Sequence, residues 1–231
     1  MVLLGTFINT ITVATGSSLG LFAGRKISNK AQTNIVTIFG LFTLAISIDM
    51  MSNMNEPINI FLALVLGALL GVSLQLHNRF TKFAERYDVE GEQSVSNAFI
   101  KATMLFCVGG MTIIGCMNEG LDGDYNLIMI KSVMDLISSF FLASALGRGV
   151  LYSALGVLTI QGLLTVSFFI IGHYLVDIIS MSLITDLTAT GGILLLALGL
   201  DLVGIKKFQM LDLLPSLAIL PIIHHLHKAI F

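Results

Sequence analysis

Apolar residues in this chain gather into long unbroken blocks, with little of the strict alternation or 3.6-residue amphipathic periodicity of a water-soluble fold. Roughly 30 Å of hydrocarbon needs about 20 helical residues. Eight runs come near that length: Leu3–Ala23, Thr33–Met51, Pro57–Leu76, Ala98–Met117, Leu127–Leu146, Val150–Leu175, Thr188–Gly204 and Leu213–His227. The seventh and eighth are short and are expected to tilt or to enter the bilayer partway. The longest polar stretch, HNRFTKFAERYDVEGEQSVSN, is too small for a soluble domain. The expected fold is therefore all-α and integral to the lipid bilayer, a single membrane domain over residues 1–231.

Composition agrees. Of the 231 residues, 55% are apolar and 11% are charged, against about 25% charged in soluble domains. The mean hydropathy is +0.93. A formal net charge of -2 gives no reason to expect nucleic acid as a partner. Cys107 and Cys116 share one apolar run. Nine helical residues span roughly 13 Å, too far for the two to bridge. The first run has no basic residue before it and is followed by Arg25 and Lys26, the reverse of a secretory signal, so a retained first span is expected.

Positive charges orient the spans. Arg25, Lys26, Lys30, Arg79, Lys82, Arg86, Arg148, Lys206 and Lys207 all follow odd-numbered spans, nine of the 12 Lys and Arg in the chain. The loops after spans 2, 4 and 6 carry none. The positive-inside rule then places both termini outside and favours an even number of spans.

The chain also resembles itself. GLFTLAISIDMM at 40–51 aligns with GILLLALGLDLV at 192–203, which matches Gly40 to Gly192, Ala45 to Ala197 and Asp49 to Asp201. At the same offset Asn9 meets Gln161, Gly20 meets Gly172 and Ser28 meets Ser180. A first repeat over 1–76 would thus match a second over 150–231, with an intervening helix pair at 97–147. Span 6 comes five spans after span 1, so the second copy would cross in the opposite sense. Inverted repeats of this kind build many transporters, with sites at the repeat interface near the midplane. Chance similarity between two apolar helices is the competing explanation.

Several polar residues stand where lipid makes them costly. Asn9 and Gln161 are matched amides able to line a pathway or to join two helices by a hydrogen bond. Gly16, Gly20 and Gly24 recur every four residues, as a close-packing helix face requires. Asp49 and Asp201 would lie toward opposite membrane faces, as plain helix-end carboxylates or as vestibules and gates. CMNEGLDGDYN joins spans 4 and 5, and Asn118, Glu119 and Asp124 make it an acidic outer mouth or simply a solvated turn. Lys131 and Asp135 are one turn apart on one helix face. Each such residue costs about 2.5–3.5 kcal/mol at a span centre on insertion scales. The pair either orients span 5 or acts as a switch in which an arriving cation competes with Lys131, which could also snorkel outward. Met104, Cys107, Met111, Cys116 and Met117 offer soft ligands but read more simply as apolar filling, so the metal remains unknown and no cofactor is expected. His173, Asp177, His224, His225 and His227 are expected at the membrane interface.

The segments GTFINTITVATGSSLG, FGLFTLAI, GCMNEGLDGD, IKSVMDL, TGGILLLALGLDLVGIKKF and MLDLLPSLAI resemble a bacterial membrane family catalogued as domain of unknown function 554. The resemblance spans nearly the whole chain. It implies a bacterial inner-membrane location and a shared residue set at Asn9, Asn118, Glu119, Gly120, Gly123, Asp124, Lys131, Ser132 and Asp135. It brings no substrate, and it does not extend to a regular acid at Asp201.

The expected function is transport of a small cation or cationic solute by a transporter or channel. The chain would work as a homo-oligomer, with a pathway between spans 1 and 6 that passes Glu119, Lys131 and Asp135. An intramembrane enzyme is disfavoured because HExxH and GxSxG motifs are missing. A non-transporting sensor or partner protein is the other alternative.

Overall fold

The computed structural model describes residues 2–24, 28–84, 94–174 and 180–230, the side chains at 29, 83, 84, 110, 171–174 and 228–230 excepted. It is helical throughout its regular structure: α1 (Leu4–Gly24), α2 (Asn29–Met51), α3 (Pro57–Leu74), α4 (Leu76–Ala84), α5 (Val95–Cys107), α6 (Gly110–Asp122), α7 (Asn126–Leu146), α8 (Arg148–Tyr174), α9 (Met181–Val203), α10 (Met210–Leu213) and α11 (Pro215–Ile230). In lipid a helix satisfies its own backbone groups, so apolar runs of this length have little alternative. Among the described residues 7 spans are long and apolar enough to cross a membrane, or 8 if the bent pair α5–α6 is one span.

Three spans differ from their expected form. The fourth is broken: α5 and α6 meet at 60° where Gly109 adopts an extended conformation ahead of α6. Thr112 Oγ1 donates to Phe106 O at 3.0 Å across the break, supplying a partner to a carbonyl near the end of α5. The seventh span begins at Met181, not Thr188, and so is a full-length helix. Its first two turns, MSLITDLT, look too polar in sequence. Their Asp186 is nevertheless fully buried, where it accepts from the backbone N–H groups of Asn55 at 2.8 Å and Glu56 at 3.3 Å at the start of α3. The eighth starts at Met210, not Leu213, and runs through α10 and α11 as one span across Leu214, with Pro221 inside the second helix. Within the long polar stretch, α4 is a short helix whose Phe80 stacks on Phe99 of α5, with ring centroids 5.0 Å apart.

Small residues set the helix contacts. α1 and α7 run parallel, and a Cβ placed on Gly16, Gly20 or Gly24 would meet Leu136 O, Phe140 O or Ser144 O at 2.3, 2.1 or 2.7 Å. α8 packs along α5 and α6, with Gly149 against Val95 and Ala98, Gly156 against Thr103 and Gly120 against Thr165. α2 and α9 run antiparallel.

Residues separated by one fixed interval recur in equivalent settings. α2 and α9 are both 23 residues long. Ser28 caps the first by accepting from Ala31 N, and Ser180 caps the second by accepting from Leu183 N. Gly40 packs on Leu202 and Val203, while Gly192 packs on Met50 and Met51. Each of these caps and contacts becomes the other when 152 is added to its first-half residues and subtracted from its second-half ones, and Asn9 hydrogen-bonds directly to Gln161, 152 residues away.

Candidate functional site: a buried polar chain beside a cavity

Four helices bring their polar residues to one dry region. Thr6 and Asn9 come from α1, Glu119 from α6, Lys131 and Asp135 from α7, and Gln161 and Thr165 from α8. Thr6, Asn9, Glu119, Gln161 and Thr165 have no exposed surface at all, and Lys131 and Asp135 keep 6% and 7%. Lys131 Nζ is ion-paired with Asp135 Oδ2 and sits 6.0 Å from the centroid of the Phe106 ring. Asn9 Nδ2 donates to the same Asp135 oxygen at 3.0 Å and to Gln161 Oε1 at 2.9 Å. Gln161 Nε2 donates to Thr6 Oγ1 at 3.4 Å. The Thr6 and Thr165 hydroxyls each donate to Glu119 Oε2 at 3.3 Å, and Glu119 Oε1 accepts from Gly5 N at 2.6 Å.

The chain thus runs from Lys131 to Glu119 through Asp135, Asn9, Gln161 and Thr6. It ends on the first turn of α1, where unpaired N–H groups and the helix dipole favour a carboxylate. Gly5 permits this approach: a Cβ there would lie 3.1 Å from Glu119 Oε1 and 3.0 Å from Tyr125 Cβ. One link stays open, because Asn9 Oδ1 is buried and meets no donor among the described residues. A buried acceptor left so costs about 1–3 kcal/mol.

The open space adjoins the Lys131–Asp135 end of this polar chain. A cavity of about 620 Å³ is bounded by α2, α5, α6, α7 and α9, and Lys131, Asp135 and Ser138 face it from α7. Asp49 and Asn53 stand on its wall at the C-terminal end of α2, and Phe39, Leu105 and Leu195 are among its apolar lining. Asn9 and Gln161, expected to line a route between spans 1 and 6, hydrogen-bond to each other directly at 2.9 Å. Lys131 does not snorkel outward, because Asp135 holds it inside.

The remaining candidates separate. Glu119 belongs to the last turns of a helix longer than the sequence suggested, so it points into the protein and not into an acidic outer loop. Asn118 is half-buried and its carbonyl accepts from Asp124 N at 3.2 Å, while Gly123, at φ 72°, closes the helix. Asp124 is exposed and accepts from Asn126 N at 3.0 Å, holding the start of α7. Asp201 pairs with Lys101 at 2.7 Å, away from the cavity, whereas Asp49 is exposed on the cavity wall. Cys107 and Cys116 are free and buried, and Cys116 Sγ reaches Gln161 O at 3.6 Å. Among the described residues no three His, Cys, Asp or Glu side chains converge as metal ligands. His224 is buried beside Ser180, with Nε2 3.2 Å from its hydroxyl, while the His173 side chain and Asp177 lie outside the described residues.

Sequence reasoning missed Thr6, Thr165 and Asp186. Thr6 lies three residues before Asn9 on the same helix face, a spacing that could have flagged it. Nothing local singles out Thr165, whose role depends on α6.

This geometry can be set beside known proteins. No solved structure matches the chain significantly. An uncharacterized membrane protein of Bacillus subtilis, YdfK, is 32% identical over 223 residues, covering 95% of this chain and 94% of its own length. The uncharacterized protein YqgA of Escherichia coli is 30% identical over 222 residues, covering 93% of each. The family model described as protein of unknown function DUF554 matches residues 4–225. The chain is therefore a multi-helix membrane protein, and it belongs to the DUF554 family.

Proposed function

We propose that this membrane protein is a non-enzymatic transporter or channel for a small cation or cationic solute. The observation that carries the reading is the buried Lys131–Asp135 pair on the wall of a cavity of about 620 Å³. Charges are kept inside a membrane domain at a cost of several kcal/mol per ion, and intramembrane ionisable groups of this kind mark ion and substrate routes. A cation reaching Asp135 competes with the Lys131 ammonium for the same carboxylate. Its departure lets Lys131 return, so the site neutralises itself between cycles.

In this proposal residues 1–76 and 150–231 form inverted repeats around the helices at 97–147. The matched caps, glycine contacts and Asn9–Gln161 bond support it, because a twofold relation makes i touch j and the mate of i touch the mate of j. The repeats leave the two sides unequal. Asp49 stands exposed beside the cavity, while its mate Asp201 is tied to Lys101. The cavity side is then the open one, and the Lys101–Asp201 pair helps close the other. In this proposal the protein sits in a bacterial inner membrane and works as a homo-oligomer, and the bias of Lys and Arg toward the loops after odd-numbered spans supports both termini facing outside.

The test is flux into proteoliposomes for a panel of alkali and divalent cations and organic ammonium ions. Asp135→Asn and Lys131→Met should each lower flux when compared at equal amounts of folded, reconstituted protein. Absence of flux across the panel, or wild-type flux in both variants, would remove the proposal. Reporter fusions at each end read the orientation.

A further inference from the structure

The cavity's size and lining suit an organic molecule better than a bare ion. We infer that its ligand is an organic monocation with an apolar or aromatic body, an inference that rests on the transport reading for its purpose but not for its geometry. About 620 Å³ falls within the roughly 300–1,000 Å³ of small-molecule sites and far exceeds what one dehydrated metal ion fills. Most lining side chains are apolar, including Phe39, Phe42 and Phe106, and a bare cation gains little from such walls. An ammonium carried on an apolar body gains from both parts: the body is removed from water and the charge sits over aromatic faces. Phe106 already faces a cation in this way, with Lys131 Nζ 6.0 Å from its centroid.

Charge selects the sign. The ionisable groups on the wall are Asp49, Asp135 and Lys131. Lys131 and Asp135 cancel each other, which leaves the exposed carboxylate of Asp49 near the end of α2. That surplus of one negative charge favours a monocation and repels carboxylates. An incoming ammonium would meet Asp49 first, bury its body against Phe39 and Phe42, and displace Lys131 from Asp135.

The probe is benzyltrimethylammonium, with benzyl alcohol as its neutral analogue, benzoate as its anionic one, and sodium, potassium and magnesium chlorides as bare ions. Binding is read on the full-length protein in lipid nanodiscs by equilibrium dialysis with radiolabelled probe. Saturable binding of benzyltrimethylammonium is expected, with benzyl alcohol, benzoate and the metal salts failing to compete. Asp49→Asn should weaken it roughly tenfold, and Asp49→Glu should restore most of it. Equal competition by benzyl alcohol, or unchanged binding in Asp49→Asn, would overturn the inference. So would a tightly held phospholipid that the probe cannot displace, read by native mass spectrometry, since the cavity would then be a lipid site. Metal-ion flux without organic-cation binding would also overturn it while leaving transport standing. Binding without flux of any solute would support the site and sink transport.

Discussion

Removing one member of the Lys131–Asp135 pair should damage the fold more than removing both. Asp135 Oδ2 takes its contacts from Lys131 Nζ and Asn9 Nδ2. In Lys131→Met the carboxylate keeps the Asn9 amide and loses its counter-charge. In Asp135→Leu the ammonium is left beside the Phe106 ring with 6% of the residue's surface exposed. Breaking a buried pair from one side costs about 3–5 kcal/mol, because an uncompensated charge stays inside, whereas replacing both members by apolar residues of similar volume is often near neutral. Each single variant should therefore lose about 3–5 kcal/mol, while Lys131→Met/Asp135→Leu should stay within about 2 kcal/mol of wild type, the remainder reflecting the one Asn9 amide N–H that loses its acceptor while the other keeps Gln161. The assay is reversible unfolding by SDS in mixed micelles, followed by far-UV circular dichroism, as a double-mutant cycle. Additive losses, with the double variant as unstable as the sum of the singles, would refute the reasoning. So would single variants that lose under about 1 kcal/mol, the range of an exposed pair.

Two further outcomes follow from named contacts. Gly20→Leu places a side chain where Cβ alone would sit 2.1 Å from Phe140 O. It should separate α1 from α7 and lower stability by at least the roughly 1–3 kcal/mol of an overpacked core, read as a lower midpoint in the same unfolding assay. Glu119→Ala removes the acceptor of Gly5 N and of two threonine hydroxyls. It should cost about 1–3 kcal/mol and speed amide exchange in the first turn of α1, whereas Glu119→Gln, which keeps an acceptor, should lose less.

How much of this was legible beforehand depends on the kind of interaction. Hydrophobic length alone marks the spans, because about 20 apolar residues in lipid have no stable form but a helix. The i, i+4 spacing of Lys131 and Asp135 put them on one face, and the three glycines of α1 marked a packing face, since both are properties of a single helix. The break at Gly109 and the early start of α9 were obscured by their neighbours. A polar first turn such as MSLITDLT reads as a loop until another element supplies its partner, here the backbone N–H groups at the start of α3.

What the sequence determined on its own is the class of protein, the approximate spans, the bias of positive charge and the residues whose burial needs an explanation. Tertiary structure decided what those residues do. It joined α1 to α8 through Asn9 and Gln161, turned Glu119 inward onto the first turn of α1, and left the open volume between α2, α5, α6, α7 and α9. The physical reason is range. Hydropathy and helix spacing are sums over neighbours along one chain segment, whereas a cavity and a hydrogen-bonded network depend on the positions of four or five segments at once.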